Sequence, residues 1–103
     1  MKRGLVKKTQ TIFEQIKKTD DKGGEYWSAR DLAKVLEYSE YRHFKPVVEK
    51  AKEACNNSGQ NEQDHFEDML GMIEIGKGGK REIDDVKLSR YACYLIVQNA
   101  DPA

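Results

Sequence analysis

The sequence predicts an α+β fold: a small, mainly helical domain with a helix-turn-helix-like pair and one β-hairpin. Three observations predict it. Apolar residues recur every three or four positions in several separate stretches, and the glycine-rich run Gly76-Lys77-Gly78-Gly79-Lys80-Arg81 lies between two alternating segments. At 103 residues the chain has room for a single core.

Leu5, Thr9, Ile12, Phe13 and Ile16 line one face of an amphipathic first helix, with Lys7, Lys8, Lys17 and Lys18 largely off that stripe. Asp20-Asp21-Lys22-Gly23-Gly24 ends it in a flexible turn, and Glu25-Tyr26-Trp27 reads as a short extended stretch. Ser28 is placed as an N-cap, with Asp31 in the reciprocal position of a capping box. Ala29, Leu32, Ala33 and Leu36 form the buried stripe of that second helix. After the connection Glu37-Tyr38-Ser39, a longer helix carries Tyr41, Phe44, Val48, Ala51 and Cys55 on one face and ends near Asn57, with Ser58-Gly59 as the stop. Pro46 cannot donate a backbone hydrogen bond, so a single turn at 40–44 followed by a kink or restart is expected.

Residues 61–68 are polar and acidic, anchored by Phe66 and then Met69 and Leu70, and their periodicity favours neither helix nor strand. Met72-Ile73-Glu74-Ile75 and Asp85-Val86-Lys87-Leu88 read as the strands of a β-hairpin around the turn 76–81. Ser89 caps a last helix whose Tyr91, Ala92, Cys93, Leu95, Ile96 and Val97 are too apolar for a surface. No internal repeat or low-complexity tract interrupts the chain.

Lysine and arginine number 18 and so do aspartate and glutamate, which argues against a generic polycationic coat for nucleic acid. The balance is a sum of unequal parts. Residues 1–18 carry a local +5, 19–75 a local −6, and 76–103 a local +1. A charge distribution of this kind can present a positive face to phosphate. No run of 18 apolar residues spans a membrane and no signal-peptide core follows Met1, so a cytoplasmic protein is expected. Cys55 and Cys93 then read as buried free thiols.

The two central helices have the length and connection of a helix-turn-helix, in which the first helix braces the second against DNA. Arg42, His43 and Lys45 occupy the first turns of the second helix, the part that can reach bases or phosphates. Plain helix packing accounts for the same pattern. The second basic point is the hairpin tip, with Lys77, Lys80 and Arg81 among glycines that let backbone amides approach a phosphate. A hairpin after a helix pair resembles the wing of winged-helix proteins, although a turn needs glycine for its positive φ angles in any case. Tyr26, Trp27, Tyr38, Tyr41 and Phe44 lie near Arg30, Arg42 and Lys45, an association that suits base stacking as well as core packing. His43 and His65 stand in no zinc spacing with either cysteine, and Asp64-His65 has no paired nucleophile. No enzymatic activity, metal site or cofactor is expected.

Longer blocks carry a family resemblance. They are Trp27-Ser28-Ala29-Arg30-Asp31-Leu32, Tyr38-Ser39-Glu40-Tyr41-Arg42-His43-Phe44, Glu49 to Cys55, His65-Phe66, and Leu88 to Asn99. Together they resemble the DNA-damage-inducible protein D family of bacteria and, more distantly, the Bro-N domain of viral and phage regulators. Related modules often read Leu-Gly-Tyr where this chain has Leu36-Glu37-Tyr38. The resemblance implies a single Bro-N-like domain over 1–103, the N-terminal fragment of a longer protein. It also implies a role in the SOS response to DNA damage, with antagonism of RecA filaments and no enzymatic step.

The expected function is binding of nucleic acid or a nucleoprotein filament, modulating RecA-dependent recombination. Arg42, His43, Lys45, Lys77, Lys80 and Arg81 are the contacts inferred from charge and placement. The partners are then DNA, single- or double-stranded, and the RecA filament. The alternative is a protein-interaction module that contacts RecA or the rest of its own chain without touching DNA.

Overall fold

A computed structural model describes residues 12–100. In chain order these form a helical segment α1 (12–16), β1 (Lys18–Thr19), β2 (Glu25–Ser28), α2 (Ala29–Val35), α3 (Tyr41–Asn57), α4 (Glu62–His65), β3 (Phe66–Glu74), β4 (Lys80–Leu88) and α5 (Arg90–Asn99). Of the expected first helix, only 12–16 falls within the described residues.

The α+β class holds, but the expectation of a mainly helical domain with one hairpin is overturned by a four-stranded antiparallel sheet in the order β1-β2-β4-β3. Two physical causes hid it. β1 and β2 have two and four residues, too few to display a period of two. The turn between them is also ordered: Oδ1 of Asp20 accepts from the amides of Lys22 (2.9 Å) and Gly24 (2.8 Å), and Asp20 N–H donates to the Gly24 carbonyl (2.9 Å). The hairpin itself is longer than expected, with nine-residue strands paired from Phe66 with Leu88 to Glu74 with Lys80. Its acidic first half, Glu67-Asp68, lacks alternation because the sheet face there is largely wet.

The capping residues act as their chemistry dictates. Ser28 Oγ accepts from Asp31 N, and Ser89 Oγ accepts from Ala92 N at 3.0 Å. At the end of α3, Gly59 takes φ +88° while the amides of Gly59 and Gln60 bond back to the carbonyls of Asn56 and Cys55. α3 runs unbroken through Pro46, against the expected restart. Pro46 lies on the exposed side, where the carbonyl left without its donor is open to water, and the apolar stripe keeps its phase on both sides.

α2 and α5 pack on the sheet and α3 packs on those two helices, around Trp27, Phe44, Leu32, Leu88 and Ile96, all fully buried. Trp27 donates its indole N–H to the Phe13 carbonyl at 2.8 Å, tying α1 to the core. Cys55 and Cys93 are free and buried, as expected. The outer half of the β3–β4 ribbon is left outside this core. There Leu70, Met72, Ile73 and Ile75 are 69, 59, 41 and 53% exposed.

Candidate nucleic-acid interface

The cations singled out in the sequence fall into two groups with different surroundings. On α3, Arg42 places Nη2 3.0 Å and Nε 3.1 Å from Oε2 of Glu40, and His43 Nε2 lies 3.6 Å from the same oxygen. Lys45 reaches across to β4, with Nζ 3.2 Å from Oδ2 of Asp84. The ammonium of Lys45 holds the Asp84 carboxyl below the usual carboxylate range. Arg42, His43 and Lys45 are thus each already faced by a carboxylate. Asp84 is a counter-charge that no local pattern reveals, because it lies 39 positions along the chain from Lys45.

The second group stands apart from any such neutralisation. Lys77, Lys80 and Arg81 are exposed, and among the described residues none has a carboxylate within 4.0 Å. Lys80 and Arg81 begin β4, opposite Glu74 and Ile73, so only Lys77 lies in the loop proper. That loop is closed by Ile75 N–H to the Gly79 carbonyl (2.9 Å) and Gly79 N–H to the Gly76 carbonyl (2.8 Å). Gly76 and Gly78 have φ of +59° and +81°, so their glycine identity has a conformational cause. A Cβ on Gly79 would meet the Ile75 carbonyl at 3.0 Å.

The helix pair and the ribbon are held together by one charged cluster. Arg30, in the first turn of α2, donates from Nε to the Asp84 carbonyl at 2.6 Å and from Nη2 to its carboxylate at 3.2 Å, and stacks 4.1 Å over the Tyr41 ring. Beside it the buried Asp85 accepts from Ser28 Oγ (2.5 Å) and from Arg30 N (3.1 Å). Burial and the Asp85 charge push the Tyr41 hydroxyl up to about 12. Between α2 and the ribbon lies a cleft of about 300 Å³ whose lining includes Lys34, Tyr38, Tyr41, Ile73 and Ile83. Tyr38 and Trp27 also serve the core, Tyr38 edge-on to Phe44 at 4.9 Å. His65 is occupied structurally: Nδ1 lies 2.6 Å from Ser89 Oγ and the ring is edge-on to Tyr91.

The turn between α2 and α3 carries the geometry at which related modules often place glycine. Glu37 has φ +67°, and the amides of Glu37 and Tyr38 bond back to the carbonyls of Lys34 and Ala33, which closes a helix C-terminus in the left-handed conformation. The model of the BRO family N-terminal domain, Bro-N, matches residues 15–103, from α1 through the whole sheet and α5. The chain belongs to the Bro-N family.

Among curated proteins, this Bro-N domain is similar to DNA damage-inducible protein D of Escherichia coli strain K12, 60% identical over 91 residues. The alignment covers 88% of this chain and 33% of that relative, so the Bro-N domain spans about a third of the relative's length. No solved structure matches it. Among the described residues, no helix is long and apolar enough to cross a membrane.

Proposed function

We propose that this Bro-N domain serves the DNA-damage response as a nucleic-acid-binding module, with the hairpin tip as its principal contact. One observation carries the reading: Lys77, Lys80 and Arg81 stand exposed on a glycine-rich tip, whereas Arg42, His43 and Lys45 each face a carboxylate. Phosphate contacts by unpaired cations on a projecting element supply local affinity without a basic overall charge. The relative's name, DNA damage-inducible protein D, supports the setting. We infer action on RecA-dependent recombination from the resemblance, through binding of nucleic acid or of the nucleoprotein filament.

Fluorescence anisotropy with labelled single- and double-stranded DNA at about 50 and about 200 mM salt tests the reading. Binding that weakens steeply with salt supports it, with a slope of about −0.9 per phosphate contact on duplex. Absence of binding at low salt, with the fold intact by circular dichroism, refutes it.

A second reading has its own observation. Leu70 and Met72 are exposed on the ribbon face that also carries Asp84, Glu82 and Glu74, a mixed apolar and acidic surface suited to protein. That reading makes the domain a contact for RecA or for the remainder of its own chain. Salt-insensitive binding to RecA in the absence of DNA distinguishes it.

A further inference from the structure

The regular register of the ribbon sorts its side chains onto two faces of opposite character. One face carries Leu70 and Asp84, then Met72 and Glu82, then Glu74 and Lys80, so each rung holds a carboxylate. The other carries Gly71 and Ile83, then Ile73 and Arg81, and finally Ile75 and Gly79, whose pairing continues through the 2.9 Å bond at the loop. No carboxylate lies on these three rungs, and the one on the next rung inward, Asp85 opposite Met69, is buried and occupied by Ser28 Oγ and Arg30 N. Two of the three isoleucines stand opposite a glycine, which leaves the apolar surface low and open, and Ile73 and Ile75 are about half exposed. Lys77 follows at the tip, and the cleft that Ile73 and Ile83 line also holds Lys34 and Asp31, the latter paired with Lys18 at 3.2 Å.

We propose that the outer three rungs of this face enter the major groove of duplex DNA, with Ile73 and Ile75 against thymine methyl groups. The inference rests on the nucleic-acid reading above and adds to it the form of the DNA and what is recognised. A B-form major groove about 12 Å wide admits a two-stranded β-ribbon, and apolar side chains there meet the thymine 5-methyl. The stretch from Gly71 to Ile75 runs about 14 Å at roughly 3.4 Å per residue, enough to follow the groove past several base pairs. Arg81, Lys77 and Lys34 flank the isoleucines and take phosphates or base edges on either side. Charge complementarity chooses the face: the opposite one would set three carboxylates against a polyanion.

Replacing thymine by uracil removes only the methyl. Anisotropy titrations compare one duplex, its all-uracil counterpart and a thymine single strand, using the protein and its Ile73→Ala/Ile75→Ala double variant. The wild type is expected to prefer the thymine duplex by about fourfold for each methyl group that an isoleucine covers. The double variant is expected to bind both duplexes equally, with an unchanged salt slope because every phosphate contact is kept. Arg81→Ala, which leaves the isoleucines in place, keeps the thymine preference but shallows the slope by about 0.9. Equal wild-type affinity for the two duplexes overturns the inference, as does a thymine preference that survives the double variant or tighter binding to the single strand. Each of those outcomes leaves salt-dependent nucleic-acid binding standing. Loss of binding to every strand form overturns both the inference and the reading beneath it.

Discussion

The Lys45 ammonium, near the start of α3, lies 3.2 Å from the Asp84 carboxylate, the same group that holds the Arg30 guanidinium at 3.2 Å. One acidic residue on β4 therefore spans two helices and occupies two cations that could otherwise face phosphate. Asp84 is itself largely exposed, so the fold depends little on its charge and removal costs under about 1 kcal/mol. Asp84→Asn is expected to free Lys45 alone, because Arg30 keeps its 2.6 Å bond to the main-chain carbonyl of residue 84 and its stack on Tyr41, and to leave the salt slope of DNA binding unchanged, because residue 84 lies on the ribbon face turned from the duplex. Anisotropy at two salt concentrations checks it, and a slope steeper by about 1 would bring Lys45, and with it the Asp84 face, against the DNA.

Glu37 occupies the left-handed region, φ +67°, where a side chain costs about 1–2 kcal/mol and glycine costs nothing sterically. Glycine gives some of that back through its greater freedom in the unfolded chain. Glu37→Gly is expected to stabilise the domain by about 0.5–1 kcal/mol, read as a higher urea midpoint at constant m-value. A lower midpoint would mean that the Glu37 side chain makes a compensating interaction.

How far the sequence reaches can be judged at particular residues. Ser28, Ser89, Asn57 and Gly59 mark helix ends because capping depends on a side chain and its immediate neighbours, and all four fall where local chemistry predicts. The sheet was largely illegible: Trp27 pairs with Leu88 and Phe66 pairs with the same residue from the other side, and pairings over such separations leave no periodic trace. The cationic candidates were visible as residue types, but their neutralisation was not. Glu40 beside Arg42 is a local pair, whereas Asp84 beside Lys45 exists only once the ribbon has folded back along α3.

Burial pushes the Cys93 thiol from its ordinary 9.0 up to about 12 and the Tyr41 hydroxyl from 10.0 to about 12. Both groups hold their protons more tightly folded than unfolded, so the stability they contribute is complete below the unfolded values. It is lost as pH rises from about 9 toward about 12. Urea midpoints are expected to decline over that window, and Cys93→Ala should reduce the part that begins near the thiol's unfolded value, to which the buried Cys55 thiol, also pushed up, still contributes, while leaving the part that begins near the phenol's. A thiol reagent at about pH 8, just below the ordinary thiol range, is expected to label neither Cys55 nor Cys93 until urea unfolds the chain, because both are buried. Rapid labelling of the native protein would contradict that burial.

Trp27 is fully buried and its one polar group is satisfied by the Phe13 carbonyl at 2.8 Å, while the Phe13 ring sits edge-on to the indole at 6.2 Å. These interactions fasten α1 to β2, and Arg90 lies over the indole at 5.2 Å with its guanidinium forked onto Glu25 at 2.8 and 2.9 Å. Trp27→Phe keeps an aromatic ring but loses the indole hydrogen bond and opens space beside Leu88, so a loss of about 2–4 kcal/mol is expected. Phe13→Leu leaves the main-chain carbonyl in place and should cost less, about 1–2 kcal/mol of edge-to-face attraction and packing. If urea denaturation gives the two variants in the reverse order, the indole hydrogen bond is not what fastens α1 to the sheet.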